Sequence, residues 1–142
     1  MATYVKFQPF VENLAEKGMN LGSDTLKLVL TNTAPVNTQS LLDLVTNHPP
    51  PAAVNGYTAG GNIITISSSA QTSGTYKLVL ADSVFTAVGG TIGPFRYAIL
   101  YDDTSTGDML IGYWDYGSSI TLADGETLTW NADSGTGVLT LA

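Results

Sequence analysis

The stretch that decides the fold is Phe95-Arg96-Tyr97-Ala98-Ile99-Leu100-Tyr101, at the start of the last third of the chain. Its aromatic and branched side chains recur at every second position, which is the period of a β-strand. The next segment, Asp102–Asp108, is rich in short polar residues and contains a glycine, a composition typical of a turn. The chain then returns through Met109–Tyr116, so the two runs predict a β-hairpin.

Alternating runs of the same kind lie on both sides of this hairpin. Asp124-Gly125 is a strong signal for a tight hairpin turn, and Thr127–Trp130 supplies the returning strand. Near the N-terminus, the leucines of Thr25–Thr31 alternate with other residues and predict another strand. About eight or nine short strands, separated by turns roughly every ten residues, predict an all-β fold. The expected architecture is a single-domain antiparallel β-sandwich or small barrel with a short N-terminal helix.

Residues 1–24 differ in pattern from the rest of the single domain that we expect over residues 1–142. Tyr4–Phe7 is expected to be extended, and Pro9–Lys17 has the amphipathic spacing of a short helix. This segment either packs on the domain's own sheet or includes an arm, Ala2–Phe10, that reaches a neighbouring subunit. The proline-rich run 36–54 predicts a surface loop in which His48 is solvated.

The composition restricts the partners that this chain can bind. Charged residues make up 12% of the sequence, about half the usual share, and the net charge is −7 with five scattered basic residues. Nucleic acid and anionic membrane surfaces are therefore not expected as partners. A weakly charged surface favours contact with another protein, since few ions need desolvation, but threonine-rich composition is also what β-sheets select. The sequence has neither a secretory signal pattern nor a membrane span.

No residue set resembles a catalytic centre. A single histidine and no cysteine argue against a histidine-based triad and against thiolate or multi-histidine metal sites. The segment Asp102–Asp108 has part of the spacing of a calcium loop, but threonines occupy two ligand positions and Tyr113 stands where a glutamate belongs. We therefore predict no enzyme activity, no cofactor and no metal, although a weak calcium site at the acidic turn stays open.

The aromatic residues of the last third allow two interpretations. About half of them are expected to lie in the core, and the others form either a protein contact or a platform on which sugars stack. The platform would use Trp114, Tyr116 and Trp130, and the chain would then be a carbohydrate-binding module.

Five segments in order resemble a group of small virion structural proteins of tailed bacteriophages, over nearly the whole chain. The ordered set is specific, whereas each motif alone is ordinary turn-and-strand sequence, and residues 36–54 match least. The segments are Asn20–Pro35, Asn55–Gly61, Ser73–Asp82, Gly93–Tyr101 and Ile111–Thr127. In size, acidity and predicted β-content the chain is similar to the decoration, or cement, proteins of phage capsids.

This resemblance implies a homotrimeric virion protein that is assembled in the host cytoplasm, binds the major capsid protein on the outer surface and stabilises the shell. A tail, neck or fibre-associated subunit is the alternative position in the particle. We expect removal of residues 2–10 to abolish decoration and to leave a folded domain. The residues expected to contact the shell or another subunit are Ala2, Thr3, Tyr4, Val5, Phe7, Phe10, Tyr113, Trp114 and Tyr116.

Overall fold

The computed structural model describes residues 2–142 and confirms the all-β prediction. It contains ten strands in three antiparallel sheets and, within the described residues, one short helix. The strand number is thus slightly higher than expected. The elements are β1 Thr3–Lys6, α1 Phe10–Ala15, β2 Leu26–Thr31, β3 Asn62–Ile64, β4 Ile66–Thr72, β5 Thr75–Leu80, β6 Ser83–Thr86, β7 Ile92–Asp102, β8 Met109–Leu122, β9 Thr127–Trp130 and β10 Leu139–Leu141.

The predicted hairpin, β7 with β8, forms the centre of the largest sheet. The two strands contain 11 and 14 residues and pair antiparallel, with Ile99 opposite Tyr113. This sheet has five strands in the order β1-β8-β7-β2-β3. The smaller sheets have the orders β10-β5-β4 and β6-β9.

The five-stranded sheet is covered on both faces. On its inner face, Leu28 and Leu30 belong to the main core, together with Leu78 and Leu80 of β5. A second core cluster contains Phe7, Val29, Ile99, Tyr101 and Leu110. Leu42 and Leu44, from the long connection between β2 and β3, pack against this second cluster. Because β2 and β7 are buried on both sides, their polar/apolar alternation is incomplete.

The connection between β2 and β3 is ordered by His48, which is fully buried. The expectation that this histidine is solvated is therefore wrong. Its Nδ1 accepts a hydrogen bond from the backbone N–H of Asp43 (3.2 Å), so Nε2 carries the proton and donates to Oε1 of Gln39 (3.0 Å). Burial lowers the pKa of His48 and favours this neutral form. The His48 ring therefore links Asp43 to Gln39 in the loop that packs against the second core cluster.

The N-terminal segment packs on the chain's own sheet. β1 pairs antiparallel with β8, which places Tyr4 opposite Trp114. The side chains of Phe7 and Phe10 are buried in the core. These two residues cannot contact a shell in this fold, which corrects the contact set expected from the sequence. Removing residues 2–10 would take away the edge strand β1 and the core side chains of Phe7 and Phe10, so we expect the truncated chain to be less stable than the full-length chain.

Candidate functional site

A groove with a volume of about 980 Å³ opens beside the long hairpin. Strands β1, β7 and β8 form one wall, and β9 with residues 131–138 forms the other. The inner part of the groove reaches the core residues Leu30 and Leu80. We call it the aromatic groove, because it is lined by Tyr4, Phe95, Tyr97, Trp114, Tyr116 and Trp130.

Three of these rings contact one another in sequence, with Trp114 between Tyr4 and Trp130. The ring centroids of Tyr4 and Trp114 lie 4.9 Å apart, which follows from their cross-strand pairing on β1 and β8. Trp130 of β9 meets Trp114 edge-to-face, also at 4.9 Å. Such pairs are favoured geometries for aromatic rings. Trp130 is only 8% exposed, so it supports Trp114 more than it offers a surface of its own.

A bulge in β8 places Tyr116 at the mouth of the groove. The pairs Tyr97–Asp115 and Phe95–Ile120 are two residues apart along β7 but five residues apart along β8. The additional residues of β8 therefore protrude from the ladder, and a bulge of this kind re-aims the side chains that it carries. Tyr116 is 55% exposed, and the residues of β8 that follow it, 117–119, are exposed as well, whereas Trp114 and Asp115 before it are partly buried.

An ion pair anchors the start of the bulge. Nε and Nη2 of Arg96 donate to the two carboxylate oxygens of Asp115 at 2.7 and 2.9 Å, a bidentate geometry. Asp115 Oδ1 also accepts the N–H of Gly117 (2.8 Å) and so holds the bulge. The hydrogen bonds from Arg96 lower the pKa of Asp115, so the carboxylate stays ionised. The Arg96 guanidinium lies 5.2 Å from the centre of the Tyr97 ring.

The carboxylates on the opposite rim hold turns. Asp82 Oδ1 accepts the backbone N–H of Ala132 (2.8 Å). Asp133 Oδ1 accepts the N–H groups of Gly135 (2.8 Å) and Thr136 (3.0 Å), and its Oδ2 accepts the Thr136 hydroxyl. Hydrogen bonds from Thr136 and Gly135 lower the pKa of Asp133. These acids therefore shape the rim and have few lone pairs left for a cation.

One polar atom beside the groove has no partner. The hydroxyl of Tyr4 is enclosed and makes no hydrogen bond with any of residues 2–142. Burial raises the pKa of Tyr4 to about 12, so the phenol is neutral. An enclosed hydroxyl without a partner is uncommon in proteins, and it is often explained by a water or another bound group.

The acidic turn after β7 has a structural role. Asp103 pairs with Lys27 at 3.0 Å, and Oδ1 of Asp102 accepts the N–H groups of Thr104 and Ser105. Within residues 2–142, no group of three or more His, Cys, Asp or Glu residues is arranged to hold a metal ion. The described helix also lacks the length and apolarity for a membrane crossing. The arrangement that the structure does offer is a concave surface suited to binding.

The structure brings together some of the residues singled out from the sequence and separates others. Trp114, Tyr116 and Trp130, the three proposed sugar-stacking residues, line the same groove. Tyr113 lies on the other face of the sheet, with its ring 5.3 Å from Phe7. The expected contact set is therefore divided between two faces. Sequence reasoning considered Asp115 only as a possible partner of Asp124 or Glu126 and missed its ion pair with Arg96, although a single arginine within an otherwise apolar strand was a usable signal.

No protein-family model matches this chain, and no curated protein and no solved structure matches it significantly.

Proposed function

We propose that this chain is a non-enzymatic structural protein of a bacteriophage virion: a decoration protein that binds the outer capsid surface as a homotrimer. The sequence resemblance described above motivates the virion assignment. The observation that carries it is the presence of two long segments without charged side chains. Residues 44–76 contain no Asp, Glu, Lys or Arg, and neither do residues 83–95.

The fold brings these two uncharged runs together. They include β3, β4 and β6, which we call the neutral face. β3 contacts β6, since Nδ2 of Asn62 donates to the Ser83 hydroxyl (3.1 Å) and to the backbone carbonyl of Val84 (3.0 Å). After Thr65 the chain continues from β3 into β4, which is an edge strand of its sheet.

The neutral face also exposes aliphatic side chains. Ile63 of β3 is 69% exposed and Val84 of β6 is 51% exposed. Val54 and Val88 are exposed on adjoining loops, which are joined by the hydrogen bond from the Val88 N–H to the Asn55 carbonyl (2.9 Å). Covering such a surface removes apolar area from water and desolvates few ions, since the charge at its border is the Asp124 carboxylate that accepts the Gly89 N–H (2.7 Å), and this favours binding to another protein. Apolar surface patches of this kind are typical of protein interaction sites.

The edge of β1 is a second candidate contact. Thr3 is exposed, and Val5 is partly exposed on the same strand. β1 pairs only with β8, so its other edge is free to meet a neighbouring chain within the part of the protein that the structure describes. Ala2, Thr3, Tyr4 and Val5 therefore stay in the proposed contact set.

Binding of purified chain to capsids that lack it tests the proposal. We expect co-sedimentation with the particles and, in electron micrographs, many symmetric copies on the shell. Val84→Glu should abolish binding because it places a charge in the neutral face. Val11→Glu is the matched control, since Val11 is similarly exposed (47%) but lies on α1. Equal capsid occupancy by both variants would contradict the proposed face.

The copy number in the particle separates this proposal from the alternative position. A tail, neck or fibre-associated subunit would appear in few copies and at one site. Sedimentation equilibrium of the purified chain tests the homotrimer separately. A chain that stays monomeric and does not bind particles would refute the proposed function.

A further inference from the structure

We infer that the aromatic groove is a binding site for neutral saccharides. The inference is independent of the proposed virion function, since it concerns the isolated chain. The groove volume of about 980 Å³ lies at the upper end of the range of roughly 300 to 1,000 Å³ that is usual for ligand sites. Such a groove has room for more than a single sugar ring.

The rings at the mouth suit the apolar faces of sugars. A pyranose presents C–H groups on its flat faces, and the electron-rich face of an aromatic ring attracts them. Tyr116 is the exposed ring, and the β8 bulge holds its backbone in place. Trp114 is partly exposed behind it and is fixed between Tyr4 and Trp130. Because the Trp114 ring is held by its neighbours, it loses little conformational entropy when a ligand binds.

The polar groups at the mouth suit hydroxyls more than ions. Arg96 is neutralised by Asp115, but the ion pair engages Nε and Nη2 and not Nη1, and the arginine side chain is 38% exposed. Nη1 can therefore donate to a ligand oxygen. On the opposite rim, Asn131 is exposed and offers an amide that both donates and accepts. A sugar hydroxyl is able to do the same.

The charges around the groove argue against other ligands. Anions would approach Asp82, Asp115 and Asp133, which outnumber the two nearby cations: Arg96, already paired with Asp115, and Lys77, which donates to the Gly135 carbonyl (3.0 Å). Cations would find carboxylates whose oxygens already accept hydrogen bonds from turns or from Arg96. A purely apolar ligand would cover the polar groups of the rim without forming hydrogen bonds to them, and burying such groups unpaired costs free energy. A neutral, polyhydroxylated ligand with an apolar face fits all three conditions.

The two tryptophans of the chain make the test direct. Trp114 and Trp130 both line the groove, so their fluorescence reports its occupancy. We expect binding on an array of neutral glycans, and saturable fluorescence changes on titration with the best array ligand. Cellotetraose, maltotetraose and chitotetraose are the first probes in solution. The expected affinity falls about five- to tenfold in Tyr116→Ala, the equivalent of one aromatic contact.

Two further variants distinguish stacking from other causes. Tyr116→Phe keeps the ring and should bind within about twofold of the wild type, because the stacking surface is unchanged. Val88→Ala removes a similarly exposed apolar side chain outside the groove lining and should not change binding. Urea unfolding of each variant checks that the fold is retained.

The inference is overturned if neither the array nor the three tetrasaccharides give saturable binding. It is also overturned if Tyr116→Ala binds as tightly as the wild type, or if the groove takes up only an apolar dye or peptide. None of these results bears on capsid binding, which depends on the neutral face and is measured on particles.

Discussion

Replacing the buried carboxyl of Asp102 by an amide is expected to stabilise the protein at neutral pH. Asp102 ends β7 and is fully buried. Its Oδ1 accepts the N–H groups of Thr104 (2.9 Å) and Ser105 (3.1 Å). Its Oδ2 has no hydrogen-bond partner among residues 2–142, and a proton on the Asp102 carboxyl group can be donated to the neighbouring Asp24. Burial, and then the contact with Asp24, raise the pKa of Asp102 to about 6.

The size of the effect follows from that pKa. The ordinary pKa of an aspartate is 3.8, so the folded state holds this proton about two pH units longer than the unfolded state does. Each unit corresponds to about 1.4 kcal/mol, which gives a cost of about 3 kcal/mol for the ionised group. The favourable contribution of the protonated Asp102 carboxyl group to the free energy of unfolding is complete below pH 4. It is lost as the pH rises through 6. Asp102→Asn keeps the Oδ1 acceptor and removes the charge, so at neutral pH it should gain about 2 to 3 kcal/mol.

Urea unfolding followed by tryptophan fluorescence measures this gain. We expect the variant to unfold at clearly higher urea than the wild type at about pH 7.5, and at a similar concentration at about pH 3.5. His48 acts in the opposite direction, since burial lowers its pKa and its contribution is lost as the pH falls below 6.5. This contribution is common to both proteins and cancels in their difference. A difference that does not change with pH, or a variant that is less stable at pH 7.5, would refute the reasoning.

Two further substitutions test the packing of the loops. Gly61→Ala should destabilise the fold by about 3 kcal/mol or more, because φ is +84° and the new Cβ would overlap the carbonyl oxygen of Leu28. In Gly125→Ala, φ is similar at +87° but the space is open, so thermal unfolding should show a loss of only about 1 kcal/mol. His48→Phe should cost about 2 to 3 kcal/mol, because the N–H of Asp43 loses its acceptor inside the loop, and it should also remove the stability change near pH 6.5. A stability of His48→Phe equal to the wild type in urea would show that the ring does not hold the loop.

The elements that depend on neighbouring residues were predictable. The β7–β8 hairpin, the turn at Asp124-Gly125 and the strand at Leu26–Thr31 follow from side-chain period and turn chemistry, and the structure contains all three. The choice of Trp114, Tyr116 and Trp130 as one set also agrees with their placement on one groove. It rested on residue type alone, because nothing in the sequence indicated that β9 would lie beside β8.

The features that depend on distant contacts were not predictable. His48 is buried because its loop packs on the second face of the five-stranded sheet. No local sequence pattern indicates which face of a sheet a loop will pack against. Phe7 enters the core because β1 pairs with β8, more than a hundred residues away. The bulge that exposes Tyr116 is a mismatch between two strands and is not visible in either one.

The amino-acid sequence by itself determined that this protein is built of β-strands, where most of its turns lie and that much of its surface carries no charge. These properties depend on backbone preferences and side-chain chemistry within a few residues. Tertiary structure alone decided which side chains are buried, which uncharged segments adjoin and which aromatic rings share a groove. Those outcomes depend on how separate strands pair and pack, and the free energy that selects the pairing comes from burying residues far apart in the chain.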